Sequence, residues 1–326
     1  MKRLSLSIVV PCFNERQTLP ELHRRVSEVC LACAGQSYEL VLVNDGSSDG
    51  TWDLLASLAA LDPHVVAVNL SRNHGHQLAL SAGLQLCRGE RVLILDCDLQ
   101  DPPELLPQMM EVMDTGCDVV YGQRTRREGE TAFKKASAHL FYRLLARLAD
   151  VEIPPDTGDF RLMSRRAVDL LNAMPEQHRF IRGMVSWMGL RQEALPYERA
   201  ARFAGETNYP LGKMVRFALD AITGFSIRPL RMAVWLGLSF SLASLLMMGY
   251  VLAAYVLGYT VSGWTSMTLI ILMVSAVQFI LMGVLGEYIG RLYMEAKKRP
   301  LFIVQEVIAS PDLNAAPRLT AVETRK

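Results

Sequence analysis

Two aspartates bracket one cysteine in Leu95-Asp96-Cys97-Asp98-Leu99-Gln100-Asp101-Pro102-Pro103-Glu104, directly after an apolar run. Such a pair can hold a hard divalent cation, because Mg²⁺ and Mn²⁺ take oxygen ligands and share one or two carboxylates with phosphate. The chemistry it fits is departure of a nucleoside diphosphate, whose growing negative charge a bound cation stabilises. A D-x-D by itself also caps helices or sits in solvated loops, so the setting decides its meaning. Here two more polar clusters, Pro11-Cys12-Phe13-Asn14-Glu15 and Asn44-Asp45-Gly46-Ser47-Ser48-Asp49-Gly50, each come directly after an apolar run. Their side chains suit the base and ribose of a nucleotide, while Ser48, Asp49 and Gly50 also suit capping and turn formation. No G-x-G-x-x-G comes after the first run and no phosphate-loop lysine motif occurs, which counts against dinucleotide and ATP binding.

The elements that must position these clusters can be read from periodicity. Over the first 125 residues, short β-branched runs alternate with helical patterns, the signature of a parallel α/β sheet. Strands are expected at Leu4–Val10, Tyr38–Val43, Val65–Asn69, Arg91–Leu95 and Asp118–Tyr121, with helices near Leu19–Ala34, Trp52–Asp62, Gln77–Arg88 and Pro103–Thr115. In such sheets ligands gather at the carboxyl ends of the strands. The polar clusters, including Ser71-Arg72-Asn73-His74, fall at four such ends. Thr131–Ala149 alternates basic and apolar residues and reads equally as a helix on anionic lipid or one packed on the sheet. Met214–Ile222 reads as an interfacial segment, and the polar tail after Pro311 as disordered.

Composition sets the remaining bounds. With 34 basic and 33 acidic residues, the chain has no global charge with which to grip nucleic acid. The hydrophobic fraction of 51% is locally concentrated: no Asp, Glu, Lys or Arg occurs from Met232 to Gly286. As one helix this stretch would far exceed a hydrocarbon core of roughly 30 Å, so it must cross twice. Gly258-Tyr-Thr-Val-Ser-Gly263-Trp264 supplies the break, giving spans near 232–257 and 265–287. Arg228 and Arg231 precede the first span, and Arg291, Lys297, Lys298 and Arg299 come after the second. The positive-inside rule then places both ends in the cytoplasm, as a multi-pass protein of the inner membrane. Met1-Lys2-Arg3 is basic, but the apolar run behind it ends at Pro11 without a cleavage site, so it reads as a first strand. The six cysteines all fall in the cytoplasmic part, where disulfides are rare, and Cys30-x-x-Cys33 lacks the second pair a zinc site needs.

P-x-x-N-E, N-D-G-S-S-D, S-R-N-H-G-H-Q, D-C-D-L-Q-D-P-P-E, then G-D-F-R-L, R-F-I-R-G and the terminal spans together resemble family 2 glycosyltransferases. Within them the chain resembles the dolichyl-phosphate mannose synthase-like branch, closest to bacterial polyprenyl-phosphate glucosyltransferases. The resemblance runs over roughly residues 4–305. It implies a GT-A (Rossmann-like) α/β domain over 1–212, a juxtamembrane segment over 213–231, two transmembrane helices within 232–290 and a tail over 291–326.

It also implies a UDP- or GDP-sugar donor, Mg²⁺ or Mn²⁺, a polyprenyl phosphate acceptor, inverting transfer and a homo-oligomer, such as a tetramer, in membrane lipid. Pro11, Asn14, Glu15 and Asp45 match positions that hold the nucleotide. Asp96 matches a residue near ribose and diphosphate, and with Asp98 and Gln100 it makes up the implied metal set. Arg124 matches a basic residue directed at phosphate, Asp159 an acceptor-side carboxylate and best base, and Arg202 a juxtamembrane arginine near phosphate; Asp156 stands in reserve. The sequence departs from the pattern at Asn44, where many relatives have Asp, and at Asn208, where relatives often place Lys. A processive polysaccharide synthase would need a Q-x-x-R-W motif and more spans, and neither is present. A carrier component with an inactive nucleotide-binding domain is the reading from another class. The sugar, with glucose favoured over 4-amino-arabinose derivatives, galactose, N-acetylglucosamine and mannose, rests on the resemblance alone.

Overall fold

The computed structural model describes residues 4–125, 154, 157–199, 228–258 and 263–310. Thr131–Ala149, Met214–Ile222, the chain beyond residue 310, Asp156, Arg202 and Asn208 lie outside the described residues. The chain divides into two compact units, one carrying the sheet and the other the two long apolar helices.

The first unit is built on an eight-stranded mixed sheet in the order β7-β5-β6-β4-β1-β2-β3-β8. Its centre is four parallel strands, β1 (Leu6–Cys12), β2 (Tyr38–Asn44), β3 (Val65–Leu70) and β4 (Arg91–Ile94). All seven residues of β1 and all seven of β2 are buried, as expected for strands covered on both faces by helices. The covering helices are α1 (Leu19–Ala34), α2 (Thr51–Leu61), α3 (His76–Leu86) and α4 (Leu106–Asp114), the last entered through a 3₁₀ turn at Pro103–Leu105. α1 forms because Leu19, Leu22, Val26 and Cys30 recur on one helical face and pack on the sheet, and Pro20 suits its first turn.

The parallel sheet expected over the first 125 residues is parallel only in this centre. β5 (Val119–Arg124) does not join β4 directly, because β6 (Thr157–Ser164) lies between them, antiparallel to both. β7 (Gln192–Tyr197) then pairs parallel to β5, and α5 (Arg165–Ala173) and α6 (Ile181–Trp187) precede it in the chain. The segment after the apolar helices reads in sequence as a tail, yet β8 (Val304–Ala309) adds to the edge of β3 in antiparallel register.

The second unit holds α7 (Arg228–Val256) and α8 (Trp264–Ala296). Both are long and apolar enough to cross a membrane, with candidate spans at Leu230–Met247 and Met273–Ala296. Their large apolar side chains, such as Trp235, Leu246, Phe279 and Ile289, are exposed, unlike those of a soluble core helix.

Candidate active site

Strand direction gathers the polar residues at one edge. The parallel strands β1 to β4 contribute the residues just past their carboxyl ends, namely Asn14, Asp45, His74 and Asp96. β6 runs the other way and so delivers its beginning, Thr157-Gly158-Asp159, to the same edge. β5 and β7 reverse again and end there with Arg124 opposite Tyr197.

The loops after β1, β2 and β3 brace one another. Asn14, at φ 56° in a left-handed conformation that asparagine tolerates, accepts a hydrogen bond on Oδ1 from Ser48 N at 2.9 Å. The Glu15 N–H donates to Thr51 Oγ1 at 3.1 Å, and Thr18 Oγ1 donates to Glu15 Oε2 at 2.7 Å. Asp45 is buried and accepts from His74 N at 2.7 Å and Gly75 N at 3.0 Å. Burial pushes its carboxyl up despite those two donors. Gly46 is obligatory beside it: its φ is +68°, and a Cβ would stand 2.5 Å from Asn73 N. Pro11 is buried within β1 opposite Val43. Asn44 donates its amide to Asn69 Oδ1 at 2.8 Å and accepts from Ser47 N at 3.2 Å.

The D-x-D turn is held by its own backbone. Gln100 N donates to Asp98 Oδ1 at 3.1 Å across Leu99, which sits at φ 57° although it is a buried γ-branched residue. Asp96 Oδ1 is buried and accepts no hydrogen bond among the described residues; His76 Nε2 stands 3.5 Å away. Burial raises the pKa of Asp96, His76 opposes it, and Asp159, Asp101 and Asp98 add to the rise, leaving the carboxyl at about 6. A buried oxygen without a hydrogen bond among the described residues, with three further carboxylates close enough to raise its pKa, fits an added cation. No group of three or more His, Cys, Asp or Glu gathers in metal-holding geometry among the described residues. A cation here would therefore take few protein ligands and complete its shell with phosphate oxygens and water, as Mg²⁺ commonly does.

Asp159 is a heavily partnered carboxylate at this edge. It is 4% exposed, and Arg182 Nε donates to its Oδ1 at 3.0 Å while Gln77 Nε2 donates to its Oδ2 at 2.8 Å. His76 Nε2 stands 3.3 Å from the same Oδ2. Burial would raise its pKa, but the charge of Arg182, then His76 and Arg161, overrides this and holds it well below the usual carboxylate range. Burial would likewise lower His76, yet Asp159 and Asp96 outweigh it and raise the imidazole to about 9.

Arg124 forms a second charged group with Asp101. Asp101 has no exposed surface and accepts from the Tyr197 hydroxyl; Arg124 and Arg199 stand 3.6 and 3.4 Å from its Oδ1. Arg124 Nε also donates to Tyr197 Oη at 3.2 Å.

The structure thus brings Asn14, Glu15, Asp45, Asp96, Asp98, Gln100, Arg124 and Asp159 to one edge. Sequence reasoning gives no role to His76, Gln77, Asp101, Arg182, Tyr197 or Arg199. Gln77 and Arg182 are visible only as letters of S-R-N-H-G-H-Q and R-F-I-R-G, whose partners in β6 lie far away in the chain. Cys30 faces the core, where burial pushes its thiol up, and all six cysteines are free thiols.

Comparison with known proteins agrees with this architecture. The family model described as Glycosyl transferase family 2 matches residues 7–171, and that of the GtrB C-terminal hairpin matches residues 228–292. The chain is 45% identical to the uncharacterized glycosyltransferase YkcC of Bacillus subtilis, over 94% of each protein. It is 38% identical to the prophage bactoprenol glucosyl transferase homolog of Escherichia coli, covering 93% of this chain and 99% of that one. The bactoprenol glucosyl transferase of Shigella phage SfII is also 38% identical, over 93% and 98%. Among solved structures, glucosyl-3-phosphoglycerate synthase from Mycobacterium tuberculosis with Mn²⁺, UDP and phosphoglyceric acid matches 68% of this chain and 76% of its own, at 19% identity and TM-score 0.45. A GT-A glycosyltransferase sheet followed by two apolar helices, matched in sequence over both parts, makes this chain a member of glycosyl transferase family 2.

Proposed function

We propose that the chain transfers a sugar, glucose in the favoured reading, from a UDP-sugar to polyprenyl phosphate, releasing UDP at the cytoplasmic membrane face. The observation that carries this reading is the match to proteins named bactoprenol glucosyl transferases over 93% of the chain, a length that takes in sheet and hairpin alike. The strand-end edge supports it by offering what such a transfer needs: a carboxylate turn for a cation, cross-braced loops for a nucleotide and arginines for phosphate.

In the proposed reaction a phosphate oxygen of the acceptor attacks the anomeric carbon, and the bond from that carbon to the diphosphate breaks on the opposite face. A phosphate monoester is largely ionised at neutral pH, its second pKa being about 6, so the attacking oxygen needs little help from a base. Asp98, Gln100 and Asp96 would hold Mg²⁺ or Mn²⁺, which when bound neutralises charge on the diphosphate. Asn14, Glu15 and Asp45 would shape the nucleotide site. Arg124 and Arg202 would offset repulsion between phosphates and the carboxylates. Asp159 stands on the acceptor side.

The return of the chain to β8 supports a two-span hairpin. β8 belongs to the same sheet as β3, which supports the segments before and after the two helices lying on one side of the membrane. Arg228, Arg231, Lys297, Lys298 and Arg299 at the helix ends support the cytoplasm as that side. Anchoring raises the effective concentration of a lipid acceptor that cannot leave the bilayer.

The test is transfer of radiolabelled sugar to undecaprenyl phosphate by the full chain in detergent, with a panel of UDP- and GDP-sugars and Mn²⁺ or Mg²⁺. Lipid-linked label from UDP-glucose, lost with chelator and in Asp98→Ala, is the expected result. Label from a different donor would correct the sugar. No label from any donor, with UDP binding intact, would favour a binding-only membrane component.

A further inference from the structure

Two motif segments that the reaction above leaves without a role meet at the Asp159 carboxylate. Gln77, on the first turn of α3, donates through Nε2 to Asp159 Oδ2 at 2.8 Å and accepts through Oε1 from Ile181 N at 2.9 Å. Arg182, the next residue along α6, donates through Nε to Asp159 Oδ1 at 3.0 Å and through an Nη to Thr157 O at 2.9 Å. One amide and one guanidinium thereby tie α3, β6 and α6 together, with Asp159 at the crossing.

We infer that Gln77 and Arg182 are positioning residues for Asp159, clamping its carboxylate from both oxygens so that it acts in the transfer as a fixed group. The clamp leaves Asp159 little freedom: it is 4% exposed, and each oxygen has a donor within 3.0 Å. The amide is the discriminating half. Its carbonyl serves the fold, by satisfying the first N–H of α6, whereas its NH₂ donates among the described residues to Asp159 alone. This inference rests on the functional reading above, since it assigns the clamp to the acceptor side of that reaction.

Gln77→Glu separates the halves. It keeps an oxygen for Ile181 N and replaces the donor to Asp159 with a like charge. The full chain in detergent should keep its melting temperature to within a few degrees and its KM for UDP-glucose, while kcat falls about tenfold or more, because small displacements of a reacting group are costly. Arg182→Lys, which keeps the charge but loses the fork, should retain more kcat than Arg182→Ala. In an Asp159→Asn background with measurable turnover, Gln77→Glu should add no further loss, because residues acting as a unit are not additive. Wild-type kcat in Gln77→Glu would overturn the clamp, as would the same fold-loss in both backgrounds. Where Asp159→Asn shows no turnover, the kcat of Gln77→Glu alone decides. Wild-type protein that transfers no sugar overturns the functional reading and the clamp with it, whereas wild-type transfer with an indifferent Gln77→Glu overturns the clamp alone.

Discussion

Replacing Gly158 by alanine tests how tightly the two charged groups at the strand-end edge are packed. A Cβ at Gly158 would stand 2.5 Å from an Nη of Arg124 and 3.3 Å from its Cζ. Ordinary contact lies at roughly 3.5 Å, so the guanidinium must withdraw by about 1 Å. An arginine tip usually moves cheaply, but this one is 18% exposed, bonded to Tyr197 Oη at 3.2 Å and paired with Asp101 at 3.6 Å. Breaking a hydrogen bond to a charged group costs about 1.5–3 kcal/mol. The φ of Gly158 is not positive, so alanine also stiffens the unfolded chain and returns about 0.4–1 kcal/mol. The net loss is about 1–2 kcal/mol, read as a fall of a few degrees in thermal unfolding in detergent, together with a drop of up to about 100-fold in transfer from the misplaced arginine. The decisive control is the same change in an Arg124→Ala background. There the obstacle is gone, and Gly158→Ala should be neutral or slightly stabilising. Equal destabilisation in both backgrounds would refute the steric argument.

Gly46→Ala should be far more damaging, since its Cβ would meet the backbone at Asn73 N and at Arg72 C, 2.6 Å away, with φ at +68°. Neither can yield without moving the loop that holds Asp45. Loss of UDP binding in calorimetry, or loss of folded protein, is expected, and wild-type affinity would contradict it. Arg25 of α1 grips Glu104 through two bonds of 2.7 and 2.6 Å, just after the D-x-D turn. The Arg25 hydrogen bond depresses the Glu104 pKa, so this pair stabilises above the carboxylate's unfolded pKa and fades as pH falls through its lower folded value. Glu104 is half exposed, so Arg25→Ala should cost under about 1 kcal/mol at neutral pH and nothing measurable in strong acid, checked by unfolding at both.

The central sheet is legible in sequence because burial on both faces makes each strand an apolar run. α1 spans the expected residues, bounded by Pro20 and by Gly35 at φ 55°. β6 is not legible, because it carries Asp159 and Arg161 in an otherwise buried strand, both nearly inaccessible. Buried charges of this kind need partners, and the partners of Asp159 are brought in only by folding. β8 escapes notice for a related reason: a six-residue edge strand has a weak local pattern, and its partner β3 precedes the two long apolar helices.

The same distinction governs the site. Motif resemblance locates the residues at the edge but does not separate those that face a ligand from those committed to one another. Asn14 and Asp45 both match nucleotide positions, yet Asn14 Oδ1 is engaged with Ser48 and both oxygens of Asp45 with the loop after β3. Their first effect is on loop shape, and side-chain contact with a nucleotide must use the lone pairs that remain or the NH₂ of Asn14. Gln77 lies 82 residues from Asp159 and 104 from Ile181, so no local spacing rule could reveal its double role. A glutamine on the first turn of a helix reads in sequence as surface. It becomes part of the site only because an antiparallel strand delivers its beginning where the parallel strands end.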